Sequence, residues 1–306
     1  TPALATLEQA LALARQAGDE PAQANALIAI GHLHSQRGDL GQARARLEEA
    51  LTLAQGCDDA QATADALLRL GDCSWQQGDY AETRRRMESA LPLYTALGDR
   101  VGAGWVQIRL TIVAALEDRP TQAAHHAQQG LALARETGNR LNEATALLLL
   151  GQSAGRLGDL ATARARLEES LAVATEIADQ FSIGVGTLAL SYVALQEGAL
   201  DQGEKRLHDA LARFTAIEAL PHVLWTLLGF ARLRREQGDV DGALALIGLA
   251  LAHPATYPFG RYEAVPLLAE LKADLGPEAV AAGMERGRAL DVDAVVKELL
   301  ASGARM

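Results

Sequence analysis

An all-α chain of stacked helical hairpins is the fold class this sequence predicts, and three observations predict it. A Gly-Asp turn recurs every 40 residues, at Gly38-Asp39, Gly78-Asp79, Gly158-Asp159 and Gly238-Asp239, with Gly198 on the same grid. Small residues recur at fixed points between the turns. Composition agrees with both: 49% of the 306 residues are hydrophobic but only 4% aromatic, and Ala and Leu dominate. Those two are strong helix formers, and β-branched runs are scarce.

Each turn has a physical reading. The Gly supplies the left-handed residue that ends one helix, and the Asp caps the next. Asp79-Tyr80-Ala81-Glu82 has the spacing of a capping box. At slot 118 stands Asp118-Arg119-Pro120 instead, and Pro120 suits the first turn of a helix. A second turn falls half a period later, at Gly18-Asp19, Cys57-Asp58, Gly98-Asp99, Gly138-Asn139 and Ala178-Asp179; Ile217-Glu218 has lost that signature.

The elements follow in order. Thr6 to Arg15 reads as the second helix of a repeat whose first helix is missing, which predicts that the chain is cut from a longer protein. Six hairpins come next. Their first helices carry Gly31, Gly71, Thr111, Gly151 and Ser191; their second helices carry Ala43, Thr83, Ala123, Ala163, Gly203 and Ala243. Leu27, Leu67, Leu147 and Leu227, with Ile30, Leu70, Leu110, Leu150 and Leu190, keep i, i+3, i+4 spacing and fill the layer. Each buried Leu is worth roughly 1.5–3 kcal/mol. A single hairpin cannot bury both its faces, so stability is expected from stacking. The array is expected over residues 1–252. A breaker-rich link, His253-Pro254 to Tyr257-Pro258, then leads into a C-terminal helical cap, 253–306, with helices near 261–275, 277–288 and 292–301. Met284, Leu290, Val295, Val296, Leu299 and Leu300 are expected to cover the last repeat.

These residues resemble the tetratricopeptide repeat: Gly31 in the first helix, Gly38-Asp39-Leu40 or Gly78-Asp79-Tyr80 at the turn, Ala43 and Ala50 in the second helix. The 40-residue period is longer than the usual 34. The resemblance implies a right-handed α-solenoid, or superhelix, of about six hairpins. The Gly-Asp-Leu-x-x-Ala-Arg-Ala-Arg-Leu-Glu-Glu stretches at 38–49 and 158–169, with the tail from Gly287, look like the C-terminal sensor arrays of bacterial STAND-type signal-transduction ATPases and of LuxR- or SARP-like transcription regulators. That likeness implies a cytoplasmic sensor that binds a protein, peptide or small-molecule inducer and controls an upstream nucleotide-binding domain.

Charge and motifs exclude other classes. A net charge of -11 argues against direct nucleic-acid binding, which needs a basic surface. No apolar run is long enough for a membrane span. Cys57 and Cys73 match no zinc or redox spacing and read as reduced thiols. No phosphate-binding Gly-Lys-Ser/Thr loop exists, and Gly184-Val185-Gly186 lies in a helix and follows no strand, so no nucleotide cofactor is expected. His125-His126 point about 100° apart on a helix and cannot share an ion; His32 and His34 fail likewise, so no metal is expected. Glu48-Glu49, Glu168-Glu169 and Arg84-Arg85-Arg86 read as solvated faces. Nothing assembles a catalytic constellation, so the chain is read as no enzyme.

What remains is the groove lined by the first helices. Counting from Gly31, three rows face it. They run Asn25, Asp65, Trp105, Thr145, Val185, Trp225; His32, Asp72, Ile112, Gln152, Tyr192, Arg232; and Ser35, Trp75, Ala115, Gly155, Leu195, Arg235. Arg69 and Arg109 lie on the flank, with Arg156 nearby. The ligand- or partner-binding set is therefore Asp65, Arg69, Asp72, Trp75, Trp105, Arg109, Gln152, Arg156, Tyr192, Trp225 and Arg232. Trp and Arg are the side chains that most often carry binding energy, and Arg grips a carboxylate with paired hydrogen bonds. A peptide-pheromone receptor and a passive interaction scaffold are the alternative readings; only Asn25 offers an Asn in the first row, which counts against a regular grip on a peptide backbone.

Overall fold

The computed structural model describes residues 2–256 and 258–304, which form sixteen helices and no strand among them. Tyr257 of the link lies outside the described residues. A lone helix, α1 (Pro2–Ala17), precedes six hairpins: α2 (Glu20–Gln36) with α3 (Leu40–Gly56), α4 (Ala60–Gln76) with α5 (Tyr80–Leu97), α6 (Arg100–Leu116) with α7 (Pro120–Thr137), α8 (Arg140–Arg156) with α9 (Leu160–Glu176), α10 (Gln180–Gln196) with α11 (Leu200–Ala216), and α12 (Leu220–Glu236) with α13 (Val240–Ala252). Three helices end the chain: α14 (Pro258–Leu275), α15 (Pro277–Arg288) and α16 (Val292–Gly303). This is the all-α solenoid class that the repeats imply.

The turns are more regular than the sequence. A left-handed residue stands every 20 residues: Gly18, Gly38, Asp58, Gly78, Gly98, Asp118, Gly138, Gly158, Ala178, Gly198, Glu218 and Gly238. Cys57 and Ile217 are thus not the turn residues; the left-handed position is one later, at Asp58 and Glu218, and the slot that had lost its signature keeps its geometry. Asp19, Asp59, Asp79, Asp99, Asp159, Asp179 and Asp239 each accept a backbone N–H from the next helix's first turn. Asp39 does not, and Ala199 and Ala219 stand at two other caps. The capping box at Asp79 is half made. Asp79 accepts from the Glu82 N–H, but the Glu82 carboxylate turns to Arg85 and Arg86.

Small residues let large ones in. Gly31 meets Leu47, Gly71 meets Met87 and Gly151 meets Leu167, so a β-carbon there would displace a buried neighbour. The buried Tyr94 ring of a second helix likewise lies on Gly102.

The chain divides into two compact units. Unit 1 is Thr1–Glu117 with His125–Asn142, and unit 2 is Asp118–Ala124 with Glu143–Met306. Within unit 2 the last three helices part company. α15 packs backbone to backbone on α13, through Gly248 beside Met284 and Gly287 beside Ala245. α16 lies on α11, where Gly303 meets His208. α14 lies on α12 instead. Of the six residues expected to cover the last repeat, Val296 and Leu299 are buried, but on α16, which lies on α11 of the fifth hairpin, and Leu290 is 42% exposed.

Candidate ligand-binding site

In unit 1 the first helices α2, α4 and α6 bring together four of the expected residues. Arg69, Asp72, Trp75 and Arg109 line a cavity of about 180 Å³ with His32, Ser35, Gln36 and Gln76. Helical geometry explains the gathering: Arg69, Asp72 and Gln76 are three and four residues apart on α4, one above the other. Arg109 Nε of α6 donates to Asp72 Oδ1 at 2.8 Å, and Arg69 Nη1 lies 3.6 Å from Asp72 Oδ2. Two guanidinium groups thus share one carboxylate, leaving a local positive excess in an acidic chain. Gln76 Nε2 donates to Ser35 Oγ at 2.7 Å, tying α4 to α2. The Trp75 ring leans on Tyr80 at 5.3 Å, and that contact fixes its plane at the cavity wall.

His32 is held neutral at pH 7. Burial lowers its pKa first, the Arg69 charge lowers it further, and Asp72 opposes both. Its Nε2 lies 3.2 Å from Gln36 Nε2, the arrangement of an amide donating to an unprotonated ring nitrogen. The cavity offers a cationic rim, an aromatic wall and neutral amide donors. That set fits an anionic group attached to an apolar or planar body.

The other expected residues of unit 1 stand elsewhere. Asp65 accepts a 2.6 Å hydrogen bond from the Tyr94 hydroxyl of α5, so it ties a first helix to its partner. Burial is the main reason the Tyr94 pKa is raised, and Asp65 adds to it. Trp105 is half-buried on α6 and does not line the cavity.

In unit 2 the corresponding face is covered. Arg156 Nη2 donates to Glu263 Oε1 of α14 at 2.8 Å. Arg232 and Tyr192 lie close enough for their charges to influence, or be influenced by, Glu263. The Tyr192 hydroxyl is buried, and Trp225 is 4% exposed. Burial pushes the Glu263 carboxyl pKa up despite Arg156 and Arg232, which pull it down. Arg235 reaches Glu236 at 2.9 Å, Glu270 at 3.2 Å and Asp274 at 3.7 Å. Gln152 is half-buried on α8. The structure therefore gathers Arg156, Tyr192, Trp225 and Arg232, but around the chain's own helix. The sequence reading passed over Glu263, Glu270 and Asp274; their i, i+7, i+11 spacing on one helical stripe was the available signal.

The motifs set aside earlier take ordinary places. Arg84 bonds Glu117 at 2.8 and 2.7 Å, and Arg85 and Arg86 bond Glu82. The Arg triplet is thus ion-paired, and two of its members are only 29% and 19% exposed, rather than a solvated run. Glu49 pairs with Arg15 and Arg46, and Glu169 with Arg166. His126 meets Gln107 at 2.8 Å. Gly184 lies inside α10 against Phe214. Among the described residues no three His, Cys, Asp or Glu side chains converge as metal ligands, and no helix is long and apolar enough to cross a membrane.

Comparison with known proteins places the repeats. The family model of the tetratricopeptide repeat matches residues 3–56 and 62–136, so these stretches are tetratricopeptide repeats. No curated protein matches the sequence. Among solved structures, the Rap protein complexed with Competence and Sporulation Factor is 16% identical, with a TM-score of 0.68 over 97% of this chain and 86% of that one. A signal transduction ATPase with numerous domains and a tetratricopeptide repeat sensor, from Pyrococcus horikoshii, is 16% identical with a TM-score of 0.62; it is covered over 46% of its length, and this chain over 97%. BtubC from P. vanneervenii is 17% identical with a TM-score of 0.61, over 70% of this chain and 91% of that one. At these identities the likeness is one of fold.

Proposed function

We propose that this tetratricopeptide-repeat chain is the non-catalytic sensor module of a bacterial, cytoplasmic signal-transduction ATPase, and that its partner docks on the first-helix face. Residues 1–252 are then the array and 253–306 its C-terminal piece, with a nucleotide-binding domain preceding Thr1 in the full-length protein. The observation that carries the reading is the unit 1 cavity, where Arg69, Arg109 and Trp75 are presented together rather than packed away. The likeness to the Pyrococcus ATPase supports it, because this chain corresponds to under half of that protein. A peptide-receptor reading draws on the likeness to the Rap complex, and the same cavity would serve it.

The test is direct. Synthetic peptides and small organic acids bearing carboxylates are titrated into the intact chain by calorimetry, and binders are re-measured on Trp75→Ala and Arg109→Ala. A loss of at least ten-fold in each variant, with helicity retained, is expected. Binders that ignore both substitutions sink the cavity. An open reading frame without a nucleotide-binding domain upstream of Thr1 sinks the ATPase part alone.

A further inference from the structure

α14 differs from its neighbours in how it is held. α15 is joined to α13 by glycines that bring main chains together: a methyl group on Gly287 would collide with the Ala245 carbonyl, and one on Gly248 with Met284. Such a joint admits no substitute. α14 meets the array through side chains. Glu263, Glu270 and Asp274 face Arg156 and Arg235, while Ala264, Leu267 and Leu271 are buried and Val265 is 63% exposed. At 100° per residue the three carboxylates fall within about 40° of arc, with the apolar stripe directly beside them. Gly260 is buried against the side chains of Trp225 and Leu228, where a β-carbon would make only ordinary van der Waals contact. Pro266 removes one backbone donor from the middle of the helix.

We propose that the face of α8, α10 and α12 in unit 2 is a second docking site, that it recognises an amphipathic helix with carboxylates at i, i+7 and i+11 beside an apolar stripe, and that α14 is its resident occupant, displaced when a partner protein presents such a helix. Charge complementarity carries the choice of occupant. The array side supplies Arg156, Arg232 and Arg235, and α14 answers with Glu263, Glu270 and Asp274 on one arc, Glu263 the most enclosed of them, while Arg261 and Lys272 fall on the opposite arc. Glu263 illustrates the poise of the contact: its carboxylate is paired, yet its burial favours the uncharged form. An occupant that gives up solvation on docking, and that meets the first helices through side chains rather than through close main-chain contact, can be exchanged while the chain on either side stays in place.

The experiment uses the whole chain. In the triple variant Glu263→Gln/Glu270→Gln/Asp274→Asn, amide exchange in α14 should accelerate at least ten-fold while α15 stays as protected as before. A fluorescein-labelled synthetic peptide of residues 258–275 should then bind the triple variant at least ten-fold more tightly than the intact protein, by anisotropy. Equal binding to both, binding to neither, or unchanged α14 protection each overturn the proposal. Should the triple variant misfold, Arg156→Glu with Glu263→Arg serves instead: it should restore α14 protection lost in Arg156→Glu alone, and a failure to restore it is equally fatal. Ligands of the unit 1 cavity are a separate readout, unchanged by either variant, so the two readings stand or fall apart.

Discussion

The first-helix faces of the two units are built on one lattice and end as opposites. In unit 1 two arginines share Asp72 and leave a cavity walled by Trp75. In unit 2 Arg156 is engaged by a carboxylate from α14, and Trp225 is sealed to 4% exposure. The lattice sets where side chains point. What they do depends on whether their own repeats supply the counter-charge, as with Asp72, or a later helix does, as with Glu263. The same residue types therefore carry different jobs: Trp75 is presented, whereas Trp225 is core.

That contrast is sharpest in the tryptophans. Trp225→Ala removes a buried aromatic body between α12 and α14, and large-to-small changes of this kind cost about 3–5 kcal/mol. Trp75→Ala should cost under about 1 kcal/mol, because its side chain is half-buried at the wall of a cavity rather than sealed in the core. Chemical denaturation of both variants checks it. Equal losses would mean that unit 1 has no presented tryptophan and that the two faces are alike.

Acid should act most strongly at one slot of unit 2. His222 sits among Phe181, Phe214 and Trp225, with ring centroids at 4.7, 5.1 and 6.1 Å. Burial lowers its pKa from 6.5 to about 4. The unfolded chain therefore binds a proton near pH 6.5 that the folded chain refuses until about pH 4. Stability contributed by the neutral ring is full above pH 6.5, falls through that window as pH drops, and is lost below about pH 4. The ceiling is on the order of 3 kcal/mol, from 1.36 kcal/mol per pKa unit. His222→Leu should flatten the difference in unfolding free energy between pH 7 and pH 4.5. Parallel pH profiles for the two proteins would show that the ring does not titrate as its burial demands. Tyr94 occupies in unit 1 the second-helix slot that Phe214 occupies in unit 2, but its ring lies on Gly102 rather than on a histidine, so the contrast is one of this slot; His32 of unit 1 is shifted in the same direction by burial elsewhere.

Much of this was legible in advance, and the reasons are local. Helix ends, the 20-residue beat of turns and the glycine-to-leucine contacts are properties of neighbours in sequence, so the spacing of Gly38, Gly78 and Gly158 announced them. Arg69, Asp72, Trp75 and Arg109 were legible because adjacent first helices repeat the lattice, and their meeting needs only one step along it. Two things were not. Asp65 went to Tyr94, because a large side chain at slot 94, where Ala54 and Ala134 stand, calls for a partner that no pattern within one helix reveals. Glu263 was missed because nothing in the repeat dictates where a helix outside it will lie.

The smallest expected effect concerns the turns, where the lattice is kept against residue preference. Ala178 and Glu218 hold φ of 56° and 55°, in the left-handed region that Gly takes at most other slots. An L-residue pays roughly 1 kcal/mol there, since its β-carbon crowds the following carbonyl. Ala178→Gly and Glu218→Gly relieve that strain, but each also loosens the unfolded chain, which returns part of the gain. A net stabilisation of about 0.5 kcal/mol apiece is expected, additive because the sites lie two turns apart and share no partner. Asp58→Gly and Asp118→Gly in the other two slots should gain less, because Asp tolerates this conformation better than Ala or Glu. Thermal unfolding of the four single variants ranks them. If Asp58→Gly gained as much as Ala178→Gly, side-chain strain would not be what distinguishes the slots, and the regular beat of turns would owe nothing to the residue that occupies them.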